Sequence, residues 1–593
     1  KGQNVVDMNN AAVDAGIAGA VEIPIPEEWA HATEGGFIAK TNRPDFVRDV
    51  CDVMNRQEGD DLPVSTFKGW EDGTFTTGTS HYERPAAAIQ VPEWIPENCI
   101  SCNQCAFVCP HAAIRPFIVT EEEEARAPEG FICRDLPGPK KGLKYRIIVS
   151  PEDCYGCSIC ANVCPAPKKA LVMKPIETQL DKQKYWDYAI TLPRKEHPMN
   201  KFTVRGSQFE PTYFEFSGAC AGCGETPYVH LVTNLFGDRM LIANATGCSS
   251  IYGASAPSMP YCTNAEGQGP AWANSLFEDN AEFGLGMHLG EIKLRRRVEE
   301  KLNEVLPSSD ENTKTAIEEW IAGKDVGDGT RSRAEKLEAA LNAKVSSHPE
   351  YKEILALKDH FIKKSQWIFG GDGWAYDIGF GGLDHVLASG EDINVLVLDT
   401  EVYSNTGGQS SKSTPAAAIA KFAAAGKKTK KKDLGMIAVS YGYIYVAQIA
   451  LGADMNQAVK AIHEAESYPG PSLIIAYAPC INHGIKAGMG EASAEQKAAV
   501  ECGYWCNWRY DPRLLDAGKN PFHLDSREPK GDFRKFLLGE VRYASLQKLF
   551  PQEAEALFEK TEKDARARRQ SYVRMQKSFD LEMQEHQAAA EQR

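Results

Sequence analysis

Residues 99–110, CISCNQCAFVCP, recur with the same cysteine spacing at residues 154–165 as CYGCSICANVCP. Each copy reads C-x2-C-x2-C-x3-C-P, so three thiolates lie on one tight loop and can bind three corners of a [4Fe–4S] cube. A pair of zinc sites is the alternative, but zinc sites favour two C-x2-C pairs or cysteine combined with histidine. The duplicated spacing therefore predicts two [4Fe–4S] clusters.

The fourth cysteine of each copy starts a helical turn, precedes a proline and points away from its own loop. In proteins with two such clusters it ligates the other cube. We expect Cys133, between the motifs, to be an ordinary thiol, and we expect a ferredoxin-like α+β domain over residues 96–180. The predicted ligand sets are Cys99, Cys102, Cys105 and Cys164 for one cluster, and Cys154, Cys157, Cys160 and Cys109 for the other.

A third cysteine pair, Cys220 and Cys223, lacks the continuation of the repeat. Cys248 and Cys480 each follow an apolar run, where strand ends can deliver side chains to a common edge. If the four converge, they make a third cluster site. Spacing alone also leaves a zinc site or a redox-active dithiol open for the C-x2-C pair.

After residue 193, short apolar runs alternate with alanine-rich segments. This alternation predicts an α/β domain with a buried parallel sheet over residues 190–593. A charged stretch with helical spacing at about 288–366 is expected to be a helical insertion, and the tail is expected to be helical from Glu553. The runs interpreted as strands are 367–369, 393–398, 436–439 and 473–477.

Two polar positions follow the first two of these runs. Asp372, within Gly-Asp-Gly, follows 367–369, and Thr400 follows 393–398. A carboxylate, a second oxygen ligand and a backbone carbonyl can complete a Mg²⁺ octahedron with two phosphate oxygens. Residues 405–408 supply nearby donors. A plain β-turn is the alternative for Gly-Asp-Gly, and the lack of a G-x-G-x-x-G after a strand disfavours a nicotinamide site.

The composition limits the classes of protein and partner. The 593 residues are 43% hydrophobic and 25% charged, and no stretch approaches the ~18 apolar residues of a membrane helix. The net charge of −15 disfavours nucleic acid and anionic membranes as partners. Seventeen cysteines without an export signal favour metal ligation over disulfides. The same observation favours a cytoplasmic location. The length suggests about four domains, and we expect 1–30 to end a preceding domain and 31–95 to be a small irregular or linker domain.

Several strings occur in the order typical of one enzyme family. They are ACAGCGETPY, ATGCSSIYG, GDGWAYDIG, LDTEVYSNTGGQ and GKKTKKKDLGMIAVSYGYIYVAQIA. With the doubled cysteine motif, the chain resembles the C-terminal half of pyruvate:ferredoxin (flavodoxin) oxidoreductases over essentially its whole length. The resemblance implies oxidative decarboxylation of pyruvate to acetyl-CoA and CO2, with one-electron transfer through three [4Fe–4S] clusters to ferredoxin or flavodoxin. The implied organic cofactor is thiamine diphosphate, bound with Mg²⁺.

The resemblance also assigns site residues. It implies a third cluster on Cys220, Cys223, Cys248 and Cys480. It implies Mg²⁺ ligation by the side chains of Asp372 and Thr400 and by the carbonyl of Val402, with Asn405 facing the reacting carbon. The residues expected to contact the cofactor are Glu225, Cys248, Asp372, Gly373, Trp374, Ala375, Thr400, Glu401, Val402, Tyr403, Ser404 and Asn405.

Part of the family's apparatus has no counterpart here. The resemblance places the glutamate that activates the cofactor, the substrate-binding arginine and most of the coenzyme A site in an N-terminal domain. We therefore expect an N-terminal half or companion chain, and a homodimer of the full enzyme. Two alternatives stay open: an oxidoreductase for another 2-oxoacid, and a non-catalytic electron-transfer subunit with a vestigial Gly-Asp-Gly loop.

Two smaller features also leave alternatives. The lysine run at 427–432 can dock an acidic ferredoxin or form a solvated loop. His483, near Cys480, can touch the active site or serve as a hydrogen-bonded structural histidine.

Overall fold

The computed structural model describes residues 2–31, 43–137, 142–195 and 199–591. The chain divides into two compact units, Lys1–Thr66 and Phe67–Arg593. The first unit contains helix α1 (Gln3–Ala18), a π-helical turn (Val47–Cys51) and helix α2 (Asp52–Asn55). The two cysteine motifs and every predicted cofactor ligand lie in the second unit.

The two cysteine motifs lie in a small α+β domain, as predicted. Its strands are β1 (Gln90–Trp94), β2 (Ile114–Thr120), β3 (Arg134–Asp135), β4 (Leu143–Val149) and β5 (Leu171–Pro175). Its helices are α3 (Gln104–Phe107), α4 (Glu121–Arg126), α5 (Ile159–Val163) and α6 (Gln183–Ala189), followed by α7 (Val204–Ser207). β1 pairs with β5 and β4 lies between β2 and β3, all antiparallel. Tyr145 and Trp186 are fully buried in its core.

An eight-stranded sheet forms the centre of the larger domain. Its strands are β6 (Met240–Ala245), β7 (Ala271–Ser275), β8 (Ser365–Gly371), β9 (Asn394–Asp399), β10 (Tyr445–Ile449), β11 (Ser472–Tyr477), β12 (Trp508–Tyr510) and β13 (Phe522–Leu524). The order is β13-β12-β10-β11-β9-β8-β6-β7, and the six strands from β10 to β7 are parallel. The predicted α/β domain with a parallel sheet is confirmed.

Both faces of the sheet are buried. Successive side chains of a strand point to opposite sides, so each strand contributes residues to the core on either face. In β9, Val395 and Val397 belong to one hydrophobic core, whereas Leu396 and Leu398 belong to the other. All six residues of β9 are buried. Continuous apolar strands of this kind are typical of parallel sheets covered by helices on both sides.

Helices cover the sheet and join its strands. Helix α8 (Thr226–Phe236) precedes β6. Between β6 and β9 lie α9 (Cys248–Gly253), α10 (Asn280–Val305), α11 (Glu311–Gly323), α12 (Thr330–Lys344), α13 (Tyr351–Leu355) and α14 (Phe380–Ala388). The helices that follow are α15 (Leu434–Val439), α16 (Met455–Glu466), α17 (Ala492–Glu501), α18 (Arg513–Asp516), α19 (Phe533–Gly539), α20 (Val541–Leu549) and α21 (Pro551–Glu591). The segment expected to be a helical insertion has a core of its own that contains Leu302, Trp320 and Leu341. In the described part of the chain, no helix is both long and apolar enough to cross a membrane.

The strand predicted at 436–439 is wrong. These residues belong to helix α15, and the strand is β10 (Tyr445–Ile449), a few residues later. Asp433 caps the helix, since its carboxylate accepts a hydrogen bond from the Met436 amide at 3.2 Å. A short apolar run does not distinguish a buried helix from a buried strand, and the capping aspartate was the signal that favoured the helix.

The register of the parallel strands determines which residues meet at the edge of the sheet. Gly371 of β8 pairs with Leu398 of β9, and Asp399 of β9 pairs with Tyr477 of β11. The residues that follow these strands, Asp372 and Thr400 among them, therefore leave the sheet at one level. Ligand sites in open α/β sheets lie beyond the carboxyl ends of the strands.

Leu396 is fully buried at the centre of this sheet. We expect Leu396→Ala to lower the free energy of unfolding by about 2–5 kcal/mol, because it removes buried methyl groups and leaves a cavity. Urea unfolding followed by circular dichroism measures the change. Leu581→Ala, on the exposed face of α21 where Leu581 is 57% exposed, is the matched control, and equal stability of the two variants would contradict the assigned core.

Candidate functional site

The first cysteine motif gathers a ligand from the second. Burial raises the pKa of the Cys105 thiol well above its usual value, and the nearby Cys102, Cys99 and Cys164 add to the shift. Helices α3 and α5, which follow the two motif loops, pack against each other. The structure thus brings the last cysteine of the second motif to the first.

The second motif shows the same exchange. Burial raises the pKa of Cys160 well above its usual value, and its thiol neighbours, in order of effect, are Cys157, Cys154, Cys109 and Cys105. Burial also raises the pKa of Cys154 to about 12, with Cys109 among the groups that add to it. Cys109 therefore lies beside the motif that begins at Cys154.

Backbone amides point at the sulfurs of all three cysteine groups. The amide of Ser101 lies 3.4 Å from Cys99 Sγ, and the amide of Gly156 lies 3.4 Å from Cys154 Sγ. The amide of Glu225 is at the same distance from Cys223 Sγ. Hydrogen bonds to ligating sulfurs tune iron–sulfur clusters, so these loops fit thiolate ligands.

Zinc sites and iron–sulfur clusters place different demands on their ligands. A zinc site needs four ligands on a single ion, whereas a cube distributes four cysteines over four irons. Among the described residues, no three histidine, cysteine, aspartate or glutamate side chains form a group that could hold one metal ion.

The third cysteine group also converges. Cys248 begins α9 after β6, and Cys480 follows β11. Burial raises the pKa of Cys248, and Glu225, Cys480 and Cys223 add to the shift. The pKa of Cys480 is raised to about 11, first by burial, with Glu225 and Cys220 contributing. Cys223, Cys248 and Cys480 thus lie near one another and near Glu225, and Cys220 lies near Cys480.

The second motif and the third cysteine group are in direct contact. The backbone amide of Gly222, between Cys220 and Cys223, lies close enough to the thiol of Cys157 to lower its pKa, against the larger effect of burial. His111 stacks on Tyr155 with ring centroids 4.1 Å apart, and its Nδ1 lies 3.0 Å from the Ser217 carbonyl.

Three oxygens meet at the ends of β8 and β9. The hydroxyl of Thr400 lies 3.1 Å from Asp372 Oδ1 and 3.0 Å from the carbonyl oxygen of Val402. All three residues are buried. Mg²⁺ prefers carboxylate, hydroxyl and carbonyl oxygens, so these residues fit the ion that the sequence implies.

Among the described residues, no lysine or arginine forms an ion pair with Asp372. Its Oδ2 accepts a hydrogen bond from Ser411 at 2.5 Å, whereas Lys431 gives its hydrogen bonds to Asp399 and Glu401. Burial and the nearby Asp399 raise the pKa of Asp372 well above its usual value. A divalent cation would remove this penalty, because an opposite charge favours the ionised carboxylate.

The oxygen site and the third cysteine group are neighbours. Ser404 Oγ lies 3.1 Å from Cys248 Sγ. The side-chain amide of Asn482 donates to the carbonyl of Ser404 at 3.3 Å and lies 3.5 Å from Cys480 Sγ. A cofactor held by the oxygen site would therefore lie beside the third cluster.

The other predicted contacts differ in accessibility. Trp374 and Ala375 are buried, Tyr403 and Ser404 are half-buried, and Asn405 is exposed. A Cβ on Gly373 would lie 2.5 Å from the Tyr403 ring, so only glycine permits this packing.

Glu225 is an unsatisfied polar group beside this site. Its Oε2 is buried with no hydrogen-bond partner among the described residues. Burial raises its pKa to about 7, and the nearby Tyr252 hydroxyl opposes the shift. A buried unpaired oxygen of this kind fits a bound polar cofactor.

Neither role considered for the lysine run at 427–432, docking of an acidic ferredoxin or a solvated loop, applies to all of its lysines. Lys428 and Lys430 are exposed, but the Lys431 side chain is 7% exposed and pairs with two buried carboxylates. Lys432 donates to the Tyr376 carbonyl at 3.0 Å. Two acidic residues at a buried strand end, Asp399 and Glu401, were the sequence signal for an internal cation.

Of the two roles considered for His483, the structure favours that of a hydrogen-bonded structural histidine. It is fully buried, and its Nε2 donates to the Thr400 carbonyl at 2.7 Å. It therefore holds the backbone of Thr400, whose hydroxyl is a predicted Mg²⁺ ligand.

Three family models match the sequence. Residues 98–168 match a 4Fe-4S dicluster domain, and residues 337–476 match the C-terminal TPP-binding domain of thiamine pyrophosphate enzymes. Residues 37–86 match a domain of unknown function called EKR. The first two matches support iron–sulfur clusters and thiamine diphosphate as cofactors.

Full-length relatives match almost the whole chain. It is 59% identical over 98% of its length to the pyruvate-flavodoxin oxidoreductase of Enterobacter agglomerans and covers 50% of that protein. It is 58% identical over 97% of its length to the pyruvate-flavodoxin oxidoreductase of Klebsiella pneumoniae, covering 49%. It is 54% identical over 97% of its length to the pyruvate:ferredoxin oxidoreductase of Moorella thermoacetica, again covering 49%. The chain thus spans about half the length of these curated relatives.

The exchange of the fourth cysteines can be tested by counting iron. Cys109→Ser/Cys157→Ser removes two ligands of one cube, so we expect a loss of about four irons per chain. Cys109→Ser/Cys102→Ser removes one ligand from each cube, so we expect roughly twice that loss. Cys133→Ser is the control and should leave the iron content unchanged. If each fourth cysteine instead bound the cube of its own motif, Cys109→Ser/Cys157→Ser would show the larger loss of iron and Cys109→Ser/Cys102→Ser the smaller.

Proposed function

We propose that this chain, which resembles half of the pyruvate:ferredoxin (flavodoxin) oxidoreductases, carries the electron-transfer and diphosphate-binding half of such an enzyme. The reaction is oxidative decarboxylation of pyruvate to acetyl-CoA and CO2, with electrons passed to flavodoxin or ferredoxin. The observation that carries the proposal is the meeting of Asp372, Thr400 and Val402 beside the third cysteine group, joined by the contact of Ser404 with Cys248.

The chain's own residues would hold the cofactor and exclude water. Asp372, Thr400 and the Val402 carbonyl would ligate Mg²⁺, and Mg²⁺ would in turn hold the diphosphate. Glu225 would offer its unpaired oxygen to the cofactor, and Asn405 would face the reacting carbon. Bound thiamine diphosphate supplies the electron sink for loss of CO2.

Contacts support an order for three [4Fe–4S] clusters. The third cysteine group lies beside the oxygen site, and its Gly222 amide reaches Cys157 of the second motif. Electrons would therefore pass from the third group to the second motif and then to the first. At the first motif Ile100 is 56% exposed, which favours this end as the exit to flavodoxin or ferredoxin.

Pyruvate and coenzyme A binding would come from the rest of the enzyme. We propose an N-terminal half or companion chain and a homodimer of the complete enzyme. Another 2-oxoacid as substrate is the second candidate. The intact oxygen site favours an enzyme over a relay subunit with a vestigial loop.

Asp372→Asn tests the oxygen site. The variant keeps the shape of the side chain but loses its charge, so we expect it to abolish Mg²⁺-dependent binding of thiamine diphosphate, measured by isothermal titration calorimetry. Asp384→Asn is the matched control, because Asp384 accepts a hydrogen bond from Tyr441 and lies on helix α14. Wild-type affinity in Asp372→Asn, or no binding at any Mg²⁺ concentration in the unaltered protein, would contradict the proposal.

A second experiment tests whether the chain is sufficient for turnover. We expect the chain alone, with reconstituted clusters, thiamine diphosphate, Mg²⁺ and coenzyme A, not to reduce methyl viologen with pyruvate. Adding the segment that corresponds to the other half of the relatives should restore viologen reduction. Full activity of the chain alone would show that no second half is needed.

A further inference from the structure

Glu401 lies between the two proposed Mg²⁺ ligands of one turn, Thr400 and Val402. Its φ is +62°, in the left-handed region that residues other than glycine rarely adopt. Such a conformation persists only where the surroundings force it. It also aims the Thr400 hydroxyl and the Val402 carbonyl at one point, 3.0 Å apart.

The Glu401 carboxylate points away from that point, into the protein. It is 1% exposed. Lys431 donates to Oε1 at 2.9 Å, while Arg542 at 2.8 Å and Tyr504 at 2.5 Å donate to Oε2. Both carboxylate oxygens are therefore held by donors, a lysine on one and an arginine and a tyrosine on the other.

The same cations fix the residues on either side of the turn. Lys431 also donates to Asp399 at 2.8 Å, and Asp399 accepts the Glu401 amide at 3.1 Å. Arg542 also donates to Glu540 at 2.7 Å. Glu540 Oε1 lies 3.5 Å from Nδ1 of His483, whose Nε2 donates to the Thr400 carbonyl. Lys431 and Arg542 thus contact acidic residues on both sides of Glu401 as well as Glu401 itself.

We infer that Lys431 and Arg542 are positioning residues that hold the Glu401 carboxylate inward and so keep Thr400 and Val402 in the geometry that binds Mg²⁺. Their side chains hydrogen-bond Asp399, Glu401, Glu540 and Tyr504 rather than the proposed ligands Asp372, Thr400 and Val402. They act through the strained turn, in the way that outer groups orient metal ligands. The inference rests on the proposed function, because that function supplies the ion.

Mn²⁺ is the probe, since its electron paramagnetic resonance signal reports binding directly. In the complete enzyme with thiamine diphosphate present, we expect Lys431→Met to weaken Mn²⁺ affinity by roughly 10–100-fold. Lys430→Met, the neighbouring exposed lysine, should bind Mn²⁺ as tightly as the unaltered protein. Unchanged affinity in Lys431→Met, even with lower thermal stability, would overturn the inference.

A second pair of variants separates positioning from general destabilisation. Glycine adopts positive φ without strain, so Glu401→Gly removes the need for the cation. We expect Glu401→Gly/Lys431→Met to bind Mn²⁺ more tightly than Lys431→Met alone. An affinity as low as that of Lys431→Met, or lower, would overturn the inference.

Tyr504→Phe provides a milder change if Lys431→Met does not fold. It removes one hydrogen bond to Glu401 and keeps the buried ring, so we expect a smaller loss of Mn²⁺ affinity. Wild-type affinity in folded Tyr504→Phe would contradict the inference. Absence of Mn²⁺ binding in the unaltered enzyme would overturn the proposed function, and this inference with it, whereas binding that Lys431→Met leaves intact would overturn the inference alone.

Discussion

The parallel register of β6, β8, β9 and β11 is the constraint on which the site depends. It places the carboxyl ends of four strands at one edge of the sheet, and each end is followed by a residue of the candidate site. Asp372 follows β8, Thr400 follows β9, and Cys248 and Cys480 follow β6 and β11. Residues more than 200 positions apart thus meet without a dedicated scaffold, because a shared edge already brings them together.

Burial makes the same edge electrostatically demanding. Asp372, Asp399 and Glu401 lie within or just beyond two adjacent strands and are all buried. Unpaired carboxylates in such surroundings are costly, so each needs a cation or several hydrogen bonds. Lys431 forms ion pairs with both Asp399 and Glu401, and Arg542 forms an ion pair with the second carboxylate oxygen of Glu401. Neither Lys431 nor Arg542 forms an ion pair with Asp372, so its carboxylate is the one of the three that the proposed Mg²⁺ would neutralise.

The sequence was most informative where spacing alone carries geometry. The doubled cysteine motif indicated the exchange of Cys109 and Cys164, and the apolar runs before Asp372 and Thr400 indicated two adjacent strand ends. The sequence was misleading at 436–439, since four apolar residues have no measurable periodicity. It was silent on the partners of Glu401, because Lys431 is 30 residues away and Arg542 is 141 residues away. Pairings over such distances depend on the packing of helices that no local pattern specifies.

The segment after β11 links the electron path to the cofactor site. Cys480 would ligate the third cluster, Asn482 contacts both Cys480 and Ser404, and His483 supports the Thr400 carbonyl. The amide of His483 also donates to the Cys480 carbonyl at 2.9 Å. One short turn therefore fixes Cys480 and Thr400 relative to each other. Electron transfer between a cluster held by Cys480 and a cofactor held at the oxygen site would depend on the distance between them, so a common support for both residues fits the proposed function.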